Sequence, residues 1–489
     1  MMVKSKKKIT LKQGCLIAII IYFAVMAIFW VCSYDELNFR NDSTDMLQNI
    51  SAVPEITKDI VFTQNFKATY NGNLTGITFL MGTFARTNTN HLMFKVFDGE
   101  EQIAESIIDA STIRDNARFT VPFEQTPMLK KNSIYMVEVT SPDGESGNAT
   151  TIYVGTEYVA GKVSIVLDMS EAMQTHINGA PLGCSFCWEI NTRADLLGGK
   201  IYPFVALGVG IVLVSYCVYM IVCEKRGRSC VGLRTVNLFK KYRYLLKQLV
   251  SRDFKTKYKR SVLGVLWSFL NPVLMTTVQF VVFSKLFSSS IENFVLYLII
   301  GIVCFNFFNE CASMCLSSIV INASLITKVY MPKYIYPVSR ALSSCVNLLF
   351  SLIPIVGIMI VTGSPISKAL VLVPIPLICL FIFSLGVGMI LSTMMVFFRD
   401  TQFLWGVLST ILMYVTPIIY PESILPNKIM WLVKLNPLYH IIKSVRSMIM
   451  DGISPEPMEY IIMLGTSFLV LLAGAVIFRK NQDKFVLNL

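Results

Sequence analysis

No GxxxxGK[ST] phosphate loop occurs anywhere in the 489 residues, so the chain has no loop of its own to cradle the phosphates of ATP. Charged residues make up only 15% of it, and there are three histidines. The carboxylates expected on the cytoplasmic side, Glu224, Asp253, Asp400 and Asp483, are scattered, with no paired cluster to hold a divalent metal for glycosyl or phosphoryl transfer. His440 has no nucleophile beside it. No catalytic residue, metal site or bound cofactor is assigned on these grounds, and an enzyme is disfavoured.

Apolar residues are what the chain has in excess. They make up 54% of it, with a mean hydropathy of +0.58, which excludes an ordinary soluble protein of this length. Runs long enough to cross about 30 Å of hydrocarbon, roughly 20 residues each, occur near 14–32, 201–223, 263–287, 294–320, 335–361, 368–396, 402–420 and 460–478. The reading is an α-helical polytopic membrane protein of about eight spans.

Charge is unevenly placed. Residues 33–200 carry 12 Lys+Arg against 21 Asp+Glu, a net of −9, while the whole chain is +12, leaving +21 for the rest. Lys4, Lys6, Lys7, Lys8 and Lys12 precede the first apolar run, and a basic stretch at 225–260 follows the second. The positive-inside rule therefore puts the N-terminal lysines and the 225–260 stretch in the cytoplasm and the acidic block between them outside, and both termini are expected in the cytoplasm. The first run could instead be a cleaved signal peptide. Its apolar part, Cys15 to Cys32, is long for a signal core, and Trp30 and Tyr34 fit an interfacial belt.

The outside block breaks into short alternating runs between Lys58 and Ser170, separated by turns such as Asn71-Gly72, Asp98-Gly99 and Pro142-Asp143-Gly144. Period-two patterning at this density implies a β-sandwich. Its aromatics, Phe79, Phe84, Phe94, Phe97, Tyr135 and Tyr153, could stack on sugar rings as in a carbohydrate-binding domain; alternation favours core packing for most of them. Most of the twelve cysteines sit in apolar runs as small apolar residues. Cys184 and Cys187, a lone CxxC, could close a disulfide loop or stay reduced, and without a nearby histidine they argue poorly for zinc.

Residues 251–274 run from dense positive charge into an apolar span. Tyr242, Leu245, Leu249, Val250, Phe254, Tyr258 and Val262 recur at helical spacing among lysines and arginines, the pattern of a helix lying in an anionic membrane surface. Arg252-Asp253, Lys257-Tyr258, Ser261, Leu263-Gly264, Trp267 and Pro272 resemble the entry segment of ABC-2 type permeases that export polysaccharides and polyol phosphates. Phe398-Arg399-Asp400, Thr416-Pro417-Ile418-Ile419-Tyr420, Leu425-Pro426 and Asn436-Pro437 resemble that family's later landmarks, in the same order. The resemblance covers residues 238–489.

These patterns, with what the resemblance implies for residues 238–489, divide the chain. Residues 1–35 hold the cytoplasmic N-terminus and first span, 36–198 the inserted extracytoplasmic β-sandwich and 199–224 the second span. Residues 225–262 form a cytoplasmic linker and interfacial helix (Arg252, Asp253, Lys257, Tyr258, Arg260, Gly264, Trp267), and 263–489 the six-span permease core. Asn322, Leu325, Lys328, Val329, Met331, Pro332 and Lys333 would couple to the ATPase, and Pro417, Tyr420, Pro421, Asn436, Pro437, Tyr439 and His440 would form a re-entrant external gate. Lys428, Lys434, Lys443 and Arg446, on the outer side against the positive-inside rule, would face headgroups or an anionic substrate. Arg399 and Asp400 read as a salt bridge or as a positioning element. Phe280, Phe283, Phe287, Tyr297, Phe305 and Phe308 are candidate channel aromatics, packing being the alternative.

As an expectation, the chain is the membrane subunit of an exporter in the bacterial cytoplasmic membrane. It works as a homodimer with two copies of a nucleotide-binding ABC subunit that supplies ATP and Mg. It contacts membrane lipids and a lipid-linked glycan or teichoic-acid-like polymer, of O-antigen type for instance, and no nucleic acid. The rivals are a membrane glycosyltransferase or polymerase and a glycan-sensing receptor.

Overall fold

The computed structural model describes residues 10–43, 48–69, 71–160, 163–166, 174–228, 230–258, 264–287, 293–328 and 331–488. They divide into two compact units, one of residues 1–36 with 201–489, the other of 37–200.

The helical unit begins with α1 (Leu11–Cys32), opened by a capping box in which Thr10 and Gln13 exchange hydrogen bonds. Beyond residue 200, α2 (Gly198–Lys225) packs back on α1: Tyr202 stacks on Phe29 and Trp30, and Tyr22 donates to the Ala206 carbonyl at 2.7 Å. Then come α3 (Val231–Tyr258), α4 (Trp267–Phe287), α5 (Phe294–Leu316), the one-turn α6 (Ala323–Lys328), α7 (Ile335–Thr362), α8 (Pro374–Phe397), α9 (Thr401–Val415), α10 (Asn427–Lys434), α11 (Pro437–Arg446) and α12 (Pro457–Asn481).

Among the described residues, seven helices are long and apolar enough to cross a membrane. The run at 402–420, expected as a full span, is instead the 15-residue α9. At 1.5 Å per residue that is about 22 Å, short of the hydrocarbon thickness. Thr416, Pro417, Ile418 and Ile419 continue it as buried, non-helical chain, because Pro417 and Pro421 cannot propagate the helix.

α5 is the axis of this unit. Leu298, Ile299, Phe308 and Cys311 are among its many buried side chains, packed by α4, α7 and α8. α8 and α12 approach so closely at Gly386 and Gly474 that a Cβ on Gly386 would stand 2.7 Å from the Leu471 backbone. Small residues permit such contact in a membrane, where packing and not hydrophobic expulsion joins helices.

The second unit is a sandwich of antiparallel sheets. One has the order β1 (Phe39–Ser43), β15 (Trp188–Asp195), β4 (Gly72–Gly82), β10 (Thr151–Ala160), β11 (Val163–Val166), with β2 (Gln48–Ala52) and β14 (Ser185–Phe186) on β10 and β7 (Ala117–Pro122) and β8 (Met128–Leu129) on β4. The other runs β13 (Ala180–Pro181), β12 (Thr175–Ile177), β3 (Phe62–Lys67), β9 (Ile134–Thr140), β5 (His91–Asp98), β6 (Glu101–Asp109). Alternation, with a bulge in β4 opposite Asn191 and Thr192 that keeps Leu74 on the same face as Ile77 and Phe79, joins these residues of the first sheet with Phe62, Phe94 and Val137 of the second into one core, with Phe79 and Phe94 rings 5.2 Å apart.

Phe79, Phe94 and Tyr135 are buried and Phe97 and Tyr153 half-buried, so of the six aromatics weighed for sugar stacking only Phe84 is exposed, with the Arg86 guanidinium 5.1 Å from its ring centre. Cys184 and Cys187 are buried free thiols flanking β14 and form no disulfide. Burial raises both, Cys187 to about 12, so they pack as small apolar groups.

Candidate functional site

Three regions of the helical unit carry its polar chemistry. The first is where α3 lies against the bundle. Leu246 and Leu249 bury against Ile335, with Tyr242, Leu245, Tyr334 and Val338 around them, while the lysines of the opposite face are exposed. Asp253 is almost fully buried and meets the Arg340 guanidinium of α7 at 3.2 Å; Arg252 reaches both Asp253 at 3.4 Å and the Asn322 amide oxygen at 3.3 Å. Lys257 pairs at 2.6 Å with Glu310, inside α5, and Asn347 donates to the same oxygen at 2.6 Å. Gly264, at φ 50°, opens the turn that leads to the exposed Trp267. Arg260 and Val329, with the side chains of Tyr258 and Phe287, lie outside the described residues.

The second region is α6. The Asn322 carbonyl accepts from the amides of Leu325 and Ile326, so it starts the helix. Its side chain does other work, donating to the Ser318 carbonyl at 2.8 Å and accepting from Arg252. Leu325 and Met331 pack toward a cluster of Ile319, Ile326, Tyr336, Phe478 and Phe485. Lys333, expected to supply docking charge, is half-buried: its ammonium donates to the Gln482 carbonyl and lies 5.9 Å from the centre of the Phe485 ring. Lys328 is exposed, and Pro332 is half-buried. Thus α3, α6 and the end of the chain beyond α12 are joined by specific contacts.

The third region is the hairpin of α10 and α11. Asn436 caps α11, accepting from the Leu438 amide at 3.1 Å with Pro437 at the first helical position, and its amide donates to Thr416 at 2.8 Å. Tyr297 of α5 donates to the carbonyls of Tyr420, at 2.8 Å, and Pro417, at 3.2 Å. Tyr439 donates to Glu422, which has Lys443 at 4.0 Å; Pro421 lines the same cavity, of about 430 Å³. Both His440 nitrogens face acceptors at 2.7 Å, the Glu459 carboxylate and the Lys434 carbonyl.

Arg446 departs most from expectation. Instead of facing headgroups, it is buried, its guanidinium stacked 3.4 Å from the Tyr297 ring centre and donating to the carbonyls of Pro417 at 2.7 Å, Ile418 at 2.9 Å and Tyr297 at 3.1 Å. Two of these carbonyls belong to the non-helical stretch between Pro417 and Pro421 and the third to Tyr297 of α5, a cage that sequence periodicity could not show. Lys428, Lys434 and Lys443 remain exposed.

Two further readings are corrected. Arg399 and Asp400 are both exposed and do not approach within ion-pair distance; neighbours at the start of a helix point apart. The channel aromatics do not form one surface: Phe305 and Phe308 are buried, Phe308 stacking on Phe383 at 5.3 Å and meeting Trp405 edge-on at 5.8 Å. Phe280 and Phe283 are half-buried packing, and Tyr297 holds Arg446.

A bundle of membrane-length helices with a basic surface helix, a short loop helix and a proline-broken hairpin defines a transporter subunit. The model of the ABC-2 type transporter family matches residues 244–450. The O-antigen export system permease protein RfbA of Klebsiella pneumoniae is 32% identical over 243 residues, 49% of this chain and 93% of that protein. The protein of the same name from Myxococcus xanthus is 28% identical over 255 residues, 52% and 98% of the two chains. The polysialic acid transport protein KpsM of Escherichia coli is 21% identical over 249 residues, 50% and 96%. The chain belongs to the ABC-2 type transporter family, as the ordered motifs implied, and carries an additional sheet-rich domain.

Proposed function

We propose that the chain is the membrane subunit of an ATP-driven exporter that moves a lipid-linked polysaccharide or teichoic-acid-like polymer outward across the bacterial cytoplasmic membrane. The observation that carries this is the coverage of nearly the whole length of O-antigen export permeases by residues that build one bundle with its gate hairpin. One bundle forms half a channel, so two copies pair. Two separate nucleotide-binding subunits supply ATP and Mg, and this chain binds no cofactor.

The ATPase docks at α6, where Lys328 is exposed and the helix is keyed to α3 through Asn322 and Arg252. A short rigid helix between two spans is a direct mechanical route from a nucleotide site to the bundle. The sandwich of residues 37–200 lies outside and meets the emerging polymer. The chain order supports this: two membrane-length helices, α1 and α2, flank the sandwich in sequence.

The test is co-purification and export measured together. Lys328→Glu should weaken ATPase association and lower export while leaving membrane insertion intact. Wild-type levels of both would remove α6 from the mechanism.

A further inference from the structure

A cavity of about 210 Å³ opens between α3, α4, α5 and α7, away from the gate hairpin. Three carboxamides from three helices line it, Asn271, Asn306 and Asn347, together with the Glu310 carboxylate. Polar groups within apolar spans are expensive and mark the paths of substrates or ions. Glu310 is held by Lys257 and Asn347, whereas the side chains of Asn271 and Asn306 make no hydrogen bond among the described residues. Trp267 stands beside them with its indole exposed.

This lining selects a ligand class. Glu310 repels an anion, and the one ammonium present, Lys257, already pairs with it. A dehydrated cation would want more carboxylates. An apolar ligand would leave the carboxamides unsatisfied. Carboxamides that donate and accept, a carboxylate that accepts, and an aromatic face suit a neutral ring covered with hydroxyls. The volume falls below the roughly 300–1,000 Å³ of drug-sized sites, which limits the occupant to about one ring.

We propose that this cavity binds a single uncharged sugar residue of the polymer at the end of the bundle where α3 lies. This rests on the export reading. Because Lys257 comes from α3 and Glu310 from α5, the same ion pair ties the surface helix to the wall of the cavity.

The test uses the full chain in phosphatidylethanolamine and phosphatidylglycerol nanodiscs, prepared without sugar detergents. Methyl glycosides of glucose, galactose, mannose, rhamnose and N-acetylglucosamine are titrated by saturation-transfer NMR, with inorganic phosphate as the competing probe. At least one glycoside should bind with a Kd on the order of 1 mM, and Asn306→Leu and Asn271→Leu should each weaken it about tenfold. Asn271→Ser, which changes volume less, should weaken it measurably with unfolding temperature unchanged. Absence of binding by the whole panel, equal binding by all variants, or displacement by phosphate would overturn the site. Export is followed in the same variants: glycoside binding that persists while export proves independent of the chain overturns the export reading alone.

Discussion

Replacing Arg446 by leucine removes a guanidinium that makes four hydrogen bonds to three main-chain carbonyls and stacks on Tyr297. Bonds to a charged donor contribute about 1.5–3 kcal/mol each, and each buried carbonyl left unpaired costs about 1–3 kcal/mol. Releasing the buried charge returns several kcal/mol of desolvation, so the net loss should resemble that of other broken buried ionic networks, about 3–5 kcal/mol. Arg446→Lys should lose nearly as much, since an ammonium cannot span three carbonyls with fixed donors. Gly301→Ala probes the same contact without touching the charge, because its Cβ would lie 2.6 Å from the Arg446 guanidinium and 3.0 Å from Ile418; overpacking costs about 1–3 kcal/mol. The assay is thermal unfolding of the full chain in nanodiscs, with maleimide labelling of Lys434→Cys to follow the hairpin. Arg446→Leu should lower the midpoint by roughly 6–15 °C and speed labelling. A midpoint within about 2 °C of wild type with unchanged labelling would refute the cage as the element that fixes the hairpin.

Gly386→Val should separate α8 from α12 and lower the yield of folded chain on size exclusion, whereas Gly406→Ala, with open space around its Cβ, should not. Arg340→Leu removes the shorter of two ion pairs on the buried Asp253 and leaves Arg252 at 3.4 Å, so it should cost less than the roughly 3–5 kcal/mol of a fully broken buried pair in unfolding measurements, part of which Asp253→Asn should recover. Asp143, 2.7 Å from His91, raises the imidazole pKa above its ordinary value. That pair therefore contributes to stability fully below the unfolded histidine value, about 6.5, and its contribution fades as pH rises through the higher folded value. Histidine-ring NMR of the chain should show His91 titrating late and Asp143→Asn bringing it back.

Features set by local chemistry were legible beforehand. Runs such as HLMFKVFD announce strands, and the prolines from Pro417 to Pro437 announce a broken hairpin, although not that the run at 402–420 stops as a helix at Val415. β6, whose EQIAESIID pattern is diluted by polar residues, and the short β12 to β14 went unread. What was misread depends on partners far along the chain. Glu310 was passed over because it hides inside a span, and only folding brings Lys257 to it across 53 positions. Sequence alone suggests solvent-facing charges at Lys333 and Arg446, because basic residues are usually exposed; the Gln482 carbonyl holds the first, and the carbonyls of Tyr297, Pro417 and Ile418 hold the second. Adjacency suggests a salt bridge between Arg399 and Asp400, one of the two readings for them, whereas Asp253 finds its partner 87 residues away, in Arg340.

The central claim is that this chain carries a finished polymer outward. Its most direct test is depletion of the chain in the native bacterium, followed by separate measurement of cell-surface and cytoplasmic lipid-linked polymer. The account predicts that surface polymer falls while lipid-linked polymer accumulates inside, and that the wild-type chain restores both. Undiminished surface polymer, or loss of polymer in both compartments as expected of a missing polymerase, would contradict it.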